Sequence, residues 1–94
     1  MTDLEKEIYD NLIKTMDVDE SELKGFDENS PLFAKDVRKG EATMGLDSID
    51  SLELVIMIEK HWKLPEIPND SLIQFRTVKE IAEYIESQPE YKAK

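Results

Sequence analysis

Gly45-Leu46-Asp47-Ser48-Ile49-Asp50-Ser51-Leu52-Glu53-Leu54-Val55 decides how this chain is read, because a polar stretch turns there into a segment of helical periodicity. Ser48 stands between two aspartates at the junction. A short hydroxyl side chain can cap a first helical turn, and acids beside it meet the positive end of the helix dipole. The spacing predicts a helix with Ser48 as N-cap, running to about Trp62 with Leu54, Val55, Ile58 and Trp62 on its core stripe. Asp50, Glu53, Met57, Glu59 and Lys60 fall on its more exposed side, and Pro65 and Pro68 end the pattern.

Upstream, Thr2 with Glu5 forms a capping-box pattern, and Leu4, Ile8, Leu12, Ile13 and Met16 recur at helical spacing, which predicts a first helix over about 3–16. Downstream, Thr77 with Glu80 repeats the pattern ahead of Val78, Ile81, Ala82 and Ile85, and that helix should end near Ser87, before Pro89. Between 17 and 47 the periodicity is lost. Gly25, Pro31, Gly40 and Gly45 punctuate that segment, only Leu23, Phe26, Leu32, Phe33 and Val37 can anchor it, and a short helical turn is expected near 19–24. A short helix near 70–75 completes the set. With no strand-like alternation, the fold class expected is all-α: a small four-helix bundle of three longer helices and one short, with a long loop between the first and second. Residues 1–87 form a single domain and 88–94 a frayed tail.

Twelve Lys and Arg against twenty-two Asp and Glu give a formal charge of −10, so a nucleic-acid backbone or an anionic membrane is repelled over most of the surface and basic partner surfaces are favoured. Without cysteine there is no disulfide, thiolate metal site or protein thiol nucleophile. Met1-Thr2-Asp3-Leu4-Glu5 does not resemble a signal peptide, and the longest apolar run, 54–58, is too short for a bilayer, so a cytoplasmic chain with no membrane insertion is expected. A monomer is expected too, unless Trp62 is exposed. Asp17, Asp19, Ser21 and Glu28 fall at four positions of a calcium loop, but Glu22 occupies the place that needs glycine, and Asn29-Ser30-Pro31 replaces the second helix. His61 is the only histidine, which excludes a zinc set of histidine and cysteine, and no nucleophile–histidine–acid set can be assembled. An enzyme is not expected.

The segment from Asp47 to Val55, with Glu66-Ile67-Pro68 and Thr77-Val78-Lys79-Glu80-Ile81-Ala82-Glu83-Tyr84-Ile85, resembles acyl carrier proteins: the Asp-Ser-Leu signature with its following helix, the later Ile-Pro segment and the last helix. The resemblance covers 45–86; the first helix fits in length and pattern only. It implies that Ser48 receives 4′-phosphopantetheine from coenzyme A through a separate phosphopantetheinyl transferase, with Asp47 contacting the transferase's divalent metal. The protein itself then catalyses nothing. It carries acyl groups as thioesters between acyl-transfer, condensing and modifying enzymes of fatty-acid or polyketide-like biosynthesis. The resemblance further implies an acyl pocket lined by Leu54, Ile58, Ile67, Leu72, Phe75 and Ile81. Ser51 is the nearby competitor for modification, but it sits inside the helix.

Docking is expected on the exposed face of the second helix, where Asp50, Glu53 and Glu59 steer a basic enzyme and Ile49, Leu52 and Ile56 add apolar contact. Other readings stay open: a D-alanyl or peptidyl carrier, or an unmodified acidic helical adaptor. The stretch from Ala34 to Met44 lengthens the approach to Ser48 and holds Lys35, Arg38 and Lys39, which suggests a specialised carrier with a restricted partner set.

Overall fold

The computed structural model describes residues 1–38, 40, 42–68, 70 and 74–92. Helix α1, Asp3–Met16, starts where expected. The Thr2 hydroxyl accepts from Glu5 N at 3.1 Å, and the Glu5 carboxylate accepts from Thr2 N at 2.7 Å. Glu5 can therefore be buried, because its carboxylate is committed to a backbone donor. At the other end Asp17 takes a left-handed conformation, and the N–H groups of Asp17 and Val18 both return to Ile13 O.

Helix α2, Asp50–His61, ends in the same way with Lys63 in the left-handed position: Trp62 N bonds Ile58 O, and Leu64 N bonds Glu59 O at 3.0 Å. Helix α3, Val78–Ser87, is capped by the Thr77 hydroxyl, which accepts from Glu80 N; here the Glu80 carboxylate accepts from that hydroxyl rather than from Thr77 N. Only half of the expected box closes.

Ile8 and Leu12 of α1, Leu54 and Ile58 of α2 and Val78, Ile81, Ala82 and Ile85 of α3 meet in one core, joined by Leu23, Leu32, Phe33, Leu46 and Trp62. The Cα radius of gyration, 12.7 Å, matches the ~12 Å expected of one folded domain of this length. Trp62 is buried, which removes the sequence-based reason to consider a self-association surface there. Met57 is buried too, against the expectation. Met57 stands three residues after Leu54, on the flank of the buried stripe where α2 meets α1, so the buried face of α2 is wider than the expected stripe. His61 adds to that contact, its Nε2 lying 2.8 Å from Glu7 Oε1.

The long connection is tied down at several points by backbone bonds. Leu32 N donates to Arg76 O (2.8 Å), Leu46 N to Leu32 O and Ala34 N to Leu46 O (both 3.0 Å), so that Phe33 and Leu46 form an isolated parallel bridge. Lys79 N, one of the orphan donors at the start of α3, finds Glu28 O at 3.0 Å. Among the described residues, 3-10 turns lie along the way at Glu20–Glu22 and Ala34–Asp36. Ser21 donates its amide and hydroxyl to Asp19 and holds that carboxyl below its ordinary pKa, the hydroxyl being the larger cause, so Asp19 acts as the cap of the first turn. Among the described residues no group of three or more His, Cys, Asp or Glu could hold a metal ion, and no helix is long and apolar enough to cross a membrane.

Among the described residues the architecture is the expected all-helical one, with three longer helices and one short. The short helix among the described residues is α4, Pro89–Lys92; the one expected near 70–75 falls largely on 71–73, outside the described residues. Where a frayed tail was expected from 88, Pro89 opens this last turn, a position at which its missing N–H costs nothing, and Tyr91 packs against the core. Leu32 is fully buried and holds the connection to both Leu46 and Arg76. Leu32→Ala should lower stability by about 2–5 kcal/mol. Urea unfolding should show a lower midpoint with an unchanged slope.

Candidate functional site

Leu46 is buried and bonded on both sides to the 32–34 segment, so the chain emerges from the core at Asp47 in one direction. Gly45 makes the preceding bend at φ 67°, where a side chain would be strained. Asp47 Oδ1 then accepts from Ile49 N and Asp50 N, and Asp50 Oδ2 accepts from Asp47 N, each at 3.0 Å. The two aspartates form a reciprocal cap over the 47–50 turn. Asp47, rather than Ser48, is therefore the capping residue, a correction to the sequence-based expectation. An ionised carboxylate makes stronger bonds to backbone donors than a hydroxyl does, and it stands one residue earlier.

Ser48 is exposed, and among the described residues its Oγ makes no hydrogen bond. Its carbonyl accepts from the Ser51 hydroxyl at 2.6 Å. Of the two serines, one has its hydroxyl tied back to the helix and half-buried; the other presents a free one to solvent. Leu52 N bonds Ile49 O at 3.2 Å, so the helix opens with a tight turn that displays Ser48 on its outside.

A cavity of ≈ 460 Å³ lies beside Ser48, inside the range of small-molecule sites. Phe33, Leu46 and Phe75 supply its apolar surface, and Asp47, Ser48 and Ser51 one edge. Lys35, Asp36 and Arg76 bring charge to it. Phe75 is fixed edge-on against Tyr84, ring centroids 5.2 Å apart. Of the residues expected to form an acyl pocket, only Phe75 borders this cavity. Leu54, Ile58, Ile67 and Ile81 are buried in the continuous core, and Leu72 lies outside the described residues. The Ala34–Asp36 wall was missed because that turn has no periodicity; Leu32-Phe33, an apolar pair in a polar stretch, is its only sequence signal.

Ile49, just before α2, and Leu52 and Ile56 on it are 73%, 62% and 49% exposed, an apolar stripe at helical spacing with Glu53 beside it. Asp50 is half-buried by its bond to Asp47. Glu59 is half-buried as well, accepting from Ile67 N at 2.7 Å, so it pins the 64–68 segment to α2.

The family model described as "Phosphopantetheine attachment site" matches residues 42–85, which include the 47–50 turn, α2, Phe75 and Arg76 but not the 33–36 wall of the cavity. The acyl carrier protein of Phytoplasma mali is 36% identical over 66 residues, covering 70% of this chain and 74% of the relative. The chain belongs to the acyl carrier protein family. The mitochondrial acyl carrier protein of Saccharomyces cerevisiae is 36% identical over 72 residues, covering 72% of this chain and 57% of that protein, so the chain spans little more than half the length of this relative. The acyl carrier protein of Porphyromonas gingivalis is 29% identical over 86 residues, covering 92% of this chain and 95% of the relative. Acyl carrier proteins are carriers, not catalysts, and their prosthetic group is a covalently attached 4′-phosphopantetheine. The residues present fit that group: an outward hydroxyl without a partner, at the edge of a largely apolar cavity.

The capping role of Asp47 can be tested by substitution. Asp47→Asn keeps a capping oxygen and should leave stability nearly unchanged, whereas Asp47→Ala should cost about 0.5–2 kcal/mol. Chemical denaturation of the two variants side by side checks this.

Proposed function

We propose that Ser48 is the attachment point of 4′-phosphopantetheine, received from coenzyme A through a separate transferase, and that the loaded protein carries acyl groups between enzymes of fatty-acid or polyketide-like synthesis. The free Ser48 hydroxyl beside the cavity carries this reading. Once bound, the group supplies a thiol on a flexible arm, and with it the thioester chemistry that a cysteine-free chain lacks. The protein's part is presentation and shelter.

Ser48 offers its oxygen as nucleophile to the transferase, and its proton must pass to a base of that enzyme. Asp47 uses Oδ1 for the cap, and Oδ2, with no bond among the described residues, is the atom we assign to the transferase's metal. Ser51 does not compete, because its hydroxyl is engaged with the Ser48 carbonyl. An acyl chain would pass Phe75 toward the core residues Leu54, Ile58, Ile67 and Ile81, gaining roughly 0.8 kcal/mol per methylene removed from water.

Ile49, Leu52 and Ile56 are the apolar centre of the docking face we propose, with Glu53 and Asp50 steering basic partner surfaces. Glu59 contributes charge to its far end while held by Ile67 N. The bridge between Phe33 and Leu46 fixes the two ends from which the 34–44 segment departs, which supports its role as an addition that restricts partners. Among compartments, the cytoplasm is our assignment for this cysteine-free, acidic chain.

Incubation with coenzyme A, magnesium and a broad-specificity phosphopantetheinyl transferase should add one phosphopantetheine mass to the protein and none to Ser48→Ala. No gain in either protein points to an unmodified adaptor, and equal gain in both defeats the Ser48 assignment. Glu53→Lys should slow acyl transfer to a basic partner enzyme at low salt, and the difference from the parent should shrink as ionic strength rises, as stopped-flow rates across a salt series would show.

A further inference from the structure

The cavity beside Ser48 has one electrostatically incomplete wall. Asp36 ends the Ala34–Asp36 turn and borders both this cavity and a second of ≈ 310 Å³ that reaches Thr77 and Glu80. Its Oδ2 is shielded from solvent without a hydrogen-bond partner, and among the described residues it is the only buried side-chain nitrogen or oxygen so placed. The turn itself is bonded, Asp36 N to Phe33 O at 3.0 Å and Val37 N to Ala34 O at 3.3 Å, so the carboxylate does not sit on a loose chain. Lys35 does not serve it: the ammonium lies over the Phe33 ring, 6.0 Å from the centroid. A carboxylate oxygen removed from water favours a state that brings it a donor. Phe33, Leu46 and Phe75 line the cavity with apolar surface, while Lys35 and Arg76 bring positive charge to it and Asp47, Ser48 and Ser51 form its polar edge. An unpartnered acceptor beside the apolar surface of Phe33, Leu46 and Phe75 suits a chain that combines methylenes with N–H groups; a hydrocarbon acyl chain has no donor to offer.

We propose that Asp36 is a positioning contact for the prosthetic tether, its carboxylate accepting a hydrogen bond from a tether amide N–H and keeping the tether along Phe33 and Phe75 when no partner enzyme holds it. The inference rests on Ser48 carrying the group. The χ2 torsion of aspartate is broad, so Oδ2 can turn toward the cavity without leaving its rotamer family. Asp36 lies in the 34–44 segment, which thereby gains a role toward the chain's own tether.

Loading of isotope-labelled protein, followed by intact mass, reports attachment separately from this contact, so failure of one is not mistaken for failure of the other. In the loaded parent protein, NMR should show cross-relaxation between tether protons and the Phe75 ring, and slower solvent exchange of a tether amide than in loaded Asp36→Leu. Asp36→Leu should take up the full mass yet lose these contacts, and its unloaded form should unfold at the same or a higher temperature, since an unpartnered oxygen is removed. Asp36→Asn, which keeps an acceptor, should retain the cross-relaxation. A fully loaded parent without these contacts, or Asp36→Leu that keeps them, would overturn the proposal. A lower unfolding temperature for unloaded Asp36→Leu would also count against it, because Oδ2 would then have a partner before loading.

Discussion

The Asp47 carboxylate does two things that a serine cap in its place could not do together. By accepting the amides of Ile49 and Asp50 it starts α2, and by taking the capping task it leaves the Ser48 hydroxyl without an internal partner. A hydroxyl engaged in a capping bond would have to give up that bond before it could react, so the division of labour suits the modification proposed for Ser48. Asp50 closes the arrangement by accepting Asp47 N, and Ser51 secures the turn through the Ser48 carbonyl. The turn over 47–51 is thus fixed by short-range bonds, with the Ser48 hydroxyl facing outward.

What aims this turn comes from farther away. Leu46 is held by Leu32 and Ala34, Leu32 by Arg76, and Glu28 by Lys79, so the long connection is stitched to the start of α3 and to the entry of α2 at once. The same stitching creates the cavity, since its walls are the two stretches that the bridge brings together, with Phe75 between them. Closing a long loop costs entropy that grows only slowly with its length, so a few backbone bonds and the burial of Leu32, Phe33 and Leu46 suffice to order it. The segment from 34 onward leaves and rejoins at the bridge, which is why it can lengthen the loop without displacing the serine.

Features set by residues three or four apart were legible in the sequence. Thr2 with Glu5 and the apolar stripe of α3 needed no tertiary information, and the all-helical class followed from them. Ser48 was misassigned as the cap because Asp47 and Ser48 are comparable capping residues, and the choice between them depends on where Leu46 is anchored. Met57 looked exposed because the stripe was drawn too narrow: it lies beside Leu54 and Ile58, on the flank of the buried face that meets α1. Pro89 was treated as a stop although it opens a further turn. The cavity walls were not legible, since Phe33, Asp36 and Arg76 are joined to Ser48 only through the bridge and the bond from Leu32 to Arg76.

Residue-resolved amide hydrogen exchange of the unmodified protein tests the cap most directly. The account predicts that the amides of Asp47, Ile49 and Asp50 exchange more slowly than that of Ser48, which has no backbone or side-chain acceptor among the described residues. Equally fast exchange across 47–50, or protection at Ser48 alone, would contradict it.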